Sequence, residues 1–114
     1  VARTALVVTD ISRAVNAGTL TAGDDVNEHD FVNDGRTIIC ALNTGTAATL
    51  TFLTPGTVGG LAIADLAVSV PIHATKVALI GPFPPGIYNQ SDGKVYVDVD
   101  DDTNLSLGAF RLPA

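Results

Sequence analysis

A chain of 114 residues that is 46% hydrophobic has the length of one domain and can bury one core. Its formal net charge is -6, and its six Lys and Arg are scattered, which argues against a nucleic-acid surface, because phosphate binding needs clustered cations. Charged residues, Pro or Gly interrupt every apolar stretch before it reaches the roughly 20 residues of a membrane-spanning helix, so no membrane partner is expected. Aromatics are 5%, Trp and Met are absent, and abundant Thr and Val with 11 Gly favour strands and turns over helices.

The opening VARTALVVTD has too short an apolar run for a secretory leader, so the chain is expected to be made without export. Residues 5–8 suit a short strand, and DISRA at 10–14 suits a helical turn capped by Asp10. The polar segment after it, rich in Gly, Asn and Asp, has no sustained period and reads as loop. Residues 1–33 are therefore expected to form an irregular arm, and residues 34–114 the folded core of a single domain. An arm of this kind reaches for a partner. Arg3, Arg13 and Phe31 are its candidate contact residues.

The pattern sharpens at 34–54, DGRTIICALNTGTAATLTFLT, which reads as a hairpin turning at Asn-Thr-Gly. Ile38, Cys40 and Leu42 share one face of its first strand, expected to point inward. Leu50 and Phe52 share one face of the second, with Thr49 and Thr51 opposite. Asn43 can bond its own backbone at the turn. TPGTVGG then breaks the chain. Strands are expected where Leu66, Val68 and Val70 alternate up to Pro71, over 76–80, briefly at Ile87 and Tyr88, where Val95, Val97 and Val99 alternate with polar residues, and over 105–112. GPFPPG forbids a central strand and enforces an extended corner. Its Phe83 reads either as an exposed knob that docks on a partner or as a plug over an open end of the fold. Six or seven short strands at spacings near 10 residues imply an all-β fold, an antiparallel β-sandwich or small jelly-roll-like barrel.

Chemistry is sparse. Asp98, Asp100, Asp102 and Asn104 have the alternate spacing that opens a calcium loop, but the glycine needed at position 6 is Thr103 and the glutamate needed at position 12 is Ala109. They remain weak cation candidates beside the plainer reading, a solvated acidic turn that discourages edge pairing. His29 and His73 have no partners at zinc-ligand spacing. Cys40 is the only cysteine, so no internal disulfide forms, and on a presumed inward face it reads as packing rather than nucleophile. No serine sits in a nucleophile elbow, and the glycines at 56–60 lack the Lys-Ser/Thr of a phosphate loop. No catalytic site and no cofactor are expected.

NDGRTIICALNTG, TLTFLTPGTVGGLAIADLAVSVP, IGPFPPGIYNQ, GKVYVDVDDD and LGAFRL, spread over residues 33–112, resemble a group of small proteins from the structural-gene modules of tailed bacteriophages, particularly those of actinobacteria. The resemblance implies a virion protein made in the host cytoplasm and carried on the capsid surface: a head decoration (cement) protein whose partner is the major capsid protein. It also implies a homo-oligomer, a trimer above other states. A head–tail connector or tail component fits the same resemblance. A carbohydrate- or cell-surface-binding sandwich is the alternative from the fold pattern alone, and it would need stacking aromatics on an exposed strand face.

Overall fold

The structure, a computed structural model, describes residues 3–14, 18–45, 47–72 and 76–113. It is all-β, with two five-stranded sheets and a small two-stranded ribbon. The strands are β1 (Thr4–Ala5), β2 (Val8–Asp10), β3 (Thr21–Ala22), β4 (His29–Val32), β5 (Thr37–Asn43), β6 (Ala48–Phe52), β7 (Thr57–Val58), β8 (Leu61–Ala62), β9 (Leu66–Val70), β10 (Ala78–Ile80), β11 (Lys94–Val99) and β12 (Leu105–Arg111), with one helical turn, α1 (Pro85–Tyr88). The first sheet runs β1-β4-β11-β6-β9, the second β10-β5-β12-β2, and β3 shares the β2 side of β12.

Period-two alternation builds the core, because successive strand residues point to opposite faces. Val95, Val97 and Val99 on β11, Leu50 and Phe52 on β6, and Phe31 on β4 come from the first sheet. Ile39 and Ala41 on β5 and Leu105, Leu107 and Ala109 on β12 meet them from the second. Each of the larger side chains contributes about 1.5–3 kcal/mol by leaving water.

Two expectations about residues 34–54 are corrected. The segment is not a hairpin: β5 lies in the second sheet and β6 in the first, so the Asn-Thr-Gly corner carries the chain across the sandwich. Its chemistry is the expected kind, with the Gly45 N–H donating to Asn43 Oδ1 at 3.2 Å. The Asn43 amide also donates to the Val70 carbonyl on β9, which ties the crossing to the first sheet. The phase of β5 is inverted as well. Thr37, Ile39, Ala41 and Asn43 face inward, while Ile38, Cys40 and Leu42 are only half-buried on the outer face. The run IICAL is apolar on both faces, so alternation cannot choose between them. The polar ends decide: Thr37 donates to the Val32 carbonyl, and Asn43 bonds as described.

The irregular arm over 1–33 is corrected too. β1 pairs with β4 in the first sheet, β2 and β3 each pair with β12 in the second, and β4 lies between β1 and β11. DISRA forms no helical turn; Asp10 ends β2 and its carboxylate meets Arg111 at 2.6 Å. Ile87 and Tyr88 belong to α1 instead of a strand. The 57–62 stretch, expected only as a breaker, folds into the β7–β8 ribbon over Gly59 and Gly60, both at positive φ, where glycine alone carries no Cβ penalty.

The 81–89 corner closes the end of the sandwich where β10 finishes and β5 begins. Phe83 is 1% exposed and packs on Phe52, Tyr88 and Phe31 with ring centroids at 4.6, 5.3 and 5.6 Å. Asn33 Nδ2 donates to the Phe83 carbonyl and to Asn89 Oδ1, and Asn89 Nδ2 returns a bond to the Asn33 carbonyl. Of the two readings of Phe83, the plug is the one this packing supports.

Candidate docking surfaces

The residues singled out for partner contact do not form one surface. Phe31 and Phe83 are both core residues, 1% exposed, which removes them as contacts. The loop expected around Phe31 is strand β4, and EHDFV already alternates, with His29 and Phe31 inward and Asp30 and Val32 outward. Arg13 is exposed at a bend after β2. Arg3 lies on the outer face of the first sheet and is committed to the fold. Its guanidinium bonds Asp98 at 2.8 Å and the His29 carbonyl at 3.1 Å, and lies over the Tyr96 ring at 4.3 Å from the centroid. Asp98 is substantially exposed, so solvent screens the pair. Arg3→Ala is expected to cost only about 1 kcal/mol in a denaturation curve, the sum of an exposed ion pair and a cation–π contact.

That outer face is mostly polar, with Asp30, Lys94, Tyr96, Asp98, Thr49 and Thr51 across β4, β11 and β6, and Val32 exposed beside Lys94. Tyr96 is the aromatic a sugar would stack on, but Arg3 covers its ring and its hydroxyl donates to Asp92, which raises the phenol's pKa. Asp30 Oδ1 is buried without a hydrogen-bond partner, with Lys94 Nζ 3.9 Å from the other oxygen.

The acidic tract disperses over the turns it stabilises. Asp98 takes Arg3, Asp100 Oδ1 accepts the Thr49 N–H at 2.7 Å, Asp101 Oδ1 accepts the Thr103 N–H, and Asp102 Oδ2 accepts the Asp25 N–H at 3.3 Å. Asn104 stands at φ 53, a conformation its side chain tolerates. Among the described residues no group of three His, Cys, Asp or Glu is placed to hold a metal ion.

His29 has a structural setting. It is fully buried, its Nε2 accepts the Asp24 N–H at 2.9 Å, and its Nδ1–H then donates to the Thr4 carbonyl at 3.1 Å. Burial pushes its pKa below 6.5, and the bond to Thr4 only partly offsets that. The ring is thus a neutral clamp between β1 and the 24–28 turn. Asp24 completes the turn by accepting from the Val26 and Asn27 N–H groups and the Thr4 hydroxyl, which lowers its pKa. Glu28, at φ 65, accepts the Val99 N–H at 2.7 Å, while desolvation raises its pKa. His73 lies outside the described residues.

The surface that the expectations missed is the outer face of the second sheet. Ile38, Cys40 and Leu42 on β5 line up with Leu79 on β10 and with Ser106, Gly108 and Phe110 on β12. On the β12 half the chain covers itself. A Cβ on Gly108 would stand 2.7 Å from Leu20, and one on Gly18 would enter the Phe110 ring, so both glycines are needed for the close approach. On the β10 half nothing comparable lies over the face among the described residues, and Leu79 is 66% exposed. Burial raises the Cys40 thiol's pKa, which keeps it a poor nucleophile. The legible signal was IICAL itself, a strand apolar on both sides.

Two clefts among the described residues flank this sheet. One, of about 270 Å³, is polar and holds Asp10, Arg36 and Arg111, with Asp34 bridging the two arginines. The other, of about 260 Å³, is lined by Ala41, Val70, Pro71, Lys76, Val77 and Ala78, where the ends of β9 and β10 approach. Among the described residues no helix is long and apolar enough to cross a membrane. Compared with protein-family models, with curated proteins and with solved structures, the chain matches none.

Proposed function

We propose that this chain is a non-enzymatic structural protein of a phage virion, a head decoration (cement) protein that binds the outside of the capsid and bridges neighbouring copies of the major capsid protein. The observation that carries the reading is where the molecule spends its polar groups. Arg3, Asp24, Glu28, His29, Asn33, Asp98 and Asp100 all stiffen its own strands and turns, while an apolar sheet face and open sheet edges are left at the surface. A rigid body that offers surface contributes to a particle through interface area. The resemblance of residues 33–112 to phage structural proteins supplies the capsid as the surface to be met. The carbohydrate reading loses its platform, because Arg3 occupies the face of Tyr96.

The test adds the purified protein to expanded capsids that lack it. Saturable binding and a higher capsid melting temperature are expected, with the protein present at fixed copy number in purified virions. Unchanged capsid melting together with absence from virions would overturn the proposal, and labelling at the tail alone would move it to the tail.

A further inference from the structure

We infer that residues 3–7 form a proton-released strap: a proton on His29 frees them from the first sheet while the rest of the sandwich stays folded. The strap closes one wall of the sandwich. β1 pairs with the edge of β4, β2 pairs with β12 in the other sheet, and Leu6 between them is 3% exposed. Its hold on the first sheet is thin, since β1 is two residues long at the end of that sheet. The Thr4 N–H donates to the Glu28 carbonyl at 2.9 Å and the Leu6 N–H to the Asp30 carbonyl at 2.8 Å. The Thr4 hydroxyl adds a bond to Asp24 Oδ2 at 3.0 Å.

Both Thr4 bonds end on the 24–28 turn, and His29 holds that turn in place. Its buried ring joins the two, with Nε2 accepting the Asp24 N–H and Nδ1–H donating to the Thr4 carbonyl. A proton on Nε2 leaves the Thr4 bond intact and sets two donors against each other at Asp24. The Asp24 N–H then has to move away. Its carboxylate, which accepts from the Thr4 hydroxyl and from the Val26 and Asn27 N–H groups, moves with it. Charged groups on the elements packed against the ring are Asp24, Asp25 and Glu28 on the turn, Asp30 on β4, Arg3 at the start of the strap, and Lys94 and Asp98 on β11. The inward residues of β5 and β12 carry no charge. Asp24 and Asp30 favour the proton and Arg3 opposes it, yet burial keeps the closed ring neutral. The charged ring is relieved when water reaches it, and the strap is the cover that can lift.

The release stops at Val7. That residue is 65% exposed, and beyond it the chain belongs to the second sheet. There the Ile11 N–H donates to the Arg111 carbonyl at 2.9 Å and Asp10 meets the Arg111 guanidinium, with no bond to the 24–28 turn. Lifting residues 3–7 takes Leu6 out of the core and Arg3 away from Asp98, and hydration of the ring stands against those losses. The result is an unpaired β4 edge. Acid thus turns a covered edge into an open one, the form in which a sheet takes up a further strand.

The device belongs to the chain alone, and its test needs no capsid. Amide hydrogen exchange on the full chain, read by NMR, is followed from one pH unit above the ordinary imidazole value of 6.5 to one below it. The Thr4 and Leu6 amides are expected to exchange by a local opening, less protected than the β5 and β12 amides and little affected by sub-denaturing urea. After correction for the intrinsic rate, their protection should fall by up to about tenfold per pH unit of acidification, the weight of one proton. The Ile11 amide should not follow. His29→Gln keeps a donor and an acceptor but cannot titrate, and is expected to remove the pH dependence. Thr4→Val deletes the hydroxyl's bond to Asp24. It is expected to speed Leu6 exchange at both ends of the range and to keep the pH dependence, and it decides the matter if His29→Gln does not fold. The inference is overturned by a Leu6 amide that exchanges only together with the β5 and β12 amides, or that ignores pH. It is overturned equally if the pH dependence survives in His29→Gln, if Ile11 follows Leu6, or if Thr4→Val leaves Leu6 unchanged.

Discussion

Phe83→Ala is expected to cost about 3–5 kcal/mol in urea denaturation, a large part of the roughly 5–15 kcal/mol that holds a domain of this size together. The ring touches three other aromatics and is 1% exposed, so truncation opens a cavity that the prolines on either side cannot collapse into. The denaturant slope should be unchanged, because the surface exposed on unfolding hardly alters. Phe83→Leu refills most of the volume and should recover about half of the loss. The knob reading of Phe83 makes the opposite forecast: stability within about 0.5 kcal/mol of the parent, the usual range for a surface site, with the loss appearing in partner binding. A single denaturation curve decides between them.

The fold class was legible because β-grammar is local. Alternation in VYVDV and TLTF, the breakers between strands and the low helix propensity of a Thr- and Val-rich chain all act within a few residues. Which sheet a strand joins is not local. The Asn43–Gly45 corner has the same residues and the same Asx bond whether the chain turns back on itself or crosses the sandwich. The long-range contact that decides is the Asn43 amide on Val70, a position 27 residues away. Facing is equally undetermined where a strand is apolar on both sides, which is why Cys40 was placed inside.

The first 33 residues were misread for a different reason. Their strands are two to four residues long, too short to show a period, and they are held by side-chain bonds such as His29 to Asp24. Those bonds are invisible until the chain is folded. Conversely, the apolar outer face was written plainly in IICAL. A strand that is hydrophobic on both faces needs two covers, and the fold supplies only part of the second.

Acid is expected to weaken this protein before its carboxylates titrate, and His29 is the reason. In the fold its Nε2 is an acceptor for the Asp24 N–H, so a proton there abolishes that bond and places a charge in a fully buried ring. The neighbouring charges are Asp24 and Asp30, which favour the proton, and Arg3, which opposes it; burial outweighs them and the pKa is lowered from 6.5. The sign follows from linkage. Below pH 6.5 the unfolded chain takes up a proton that the folded chain refuses, so stability is fully present above that pH and falls as the pH drops toward the folded value. The slope is at most about 1.4 kcal/mol per pH unit, the value of one proton. Glu28, with its raised pKa, acts in the opposite direction but only nearer its own range from 4.5 upward. The lowered aspartates Asp10, Asp24, Asp34 and Asp101 contribute below 3.8. Of the groups with shifted pKa, His29 is the one whose ordinary value, 6.5, places its loss of stability in the first steps below neutrality. His29→Gln keeps a donor and an acceptor but cannot titrate, and is expected to flatten the stability profile in that window. His29→Leu leaves the Asp24 N–H without its partner and is expected to cost about 1–3 kcal/mol at neutral pH. A slope that survives His29→Gln would assign the titration to another group and release His29 from its role as the clamp between β1 and the 24–28 turn.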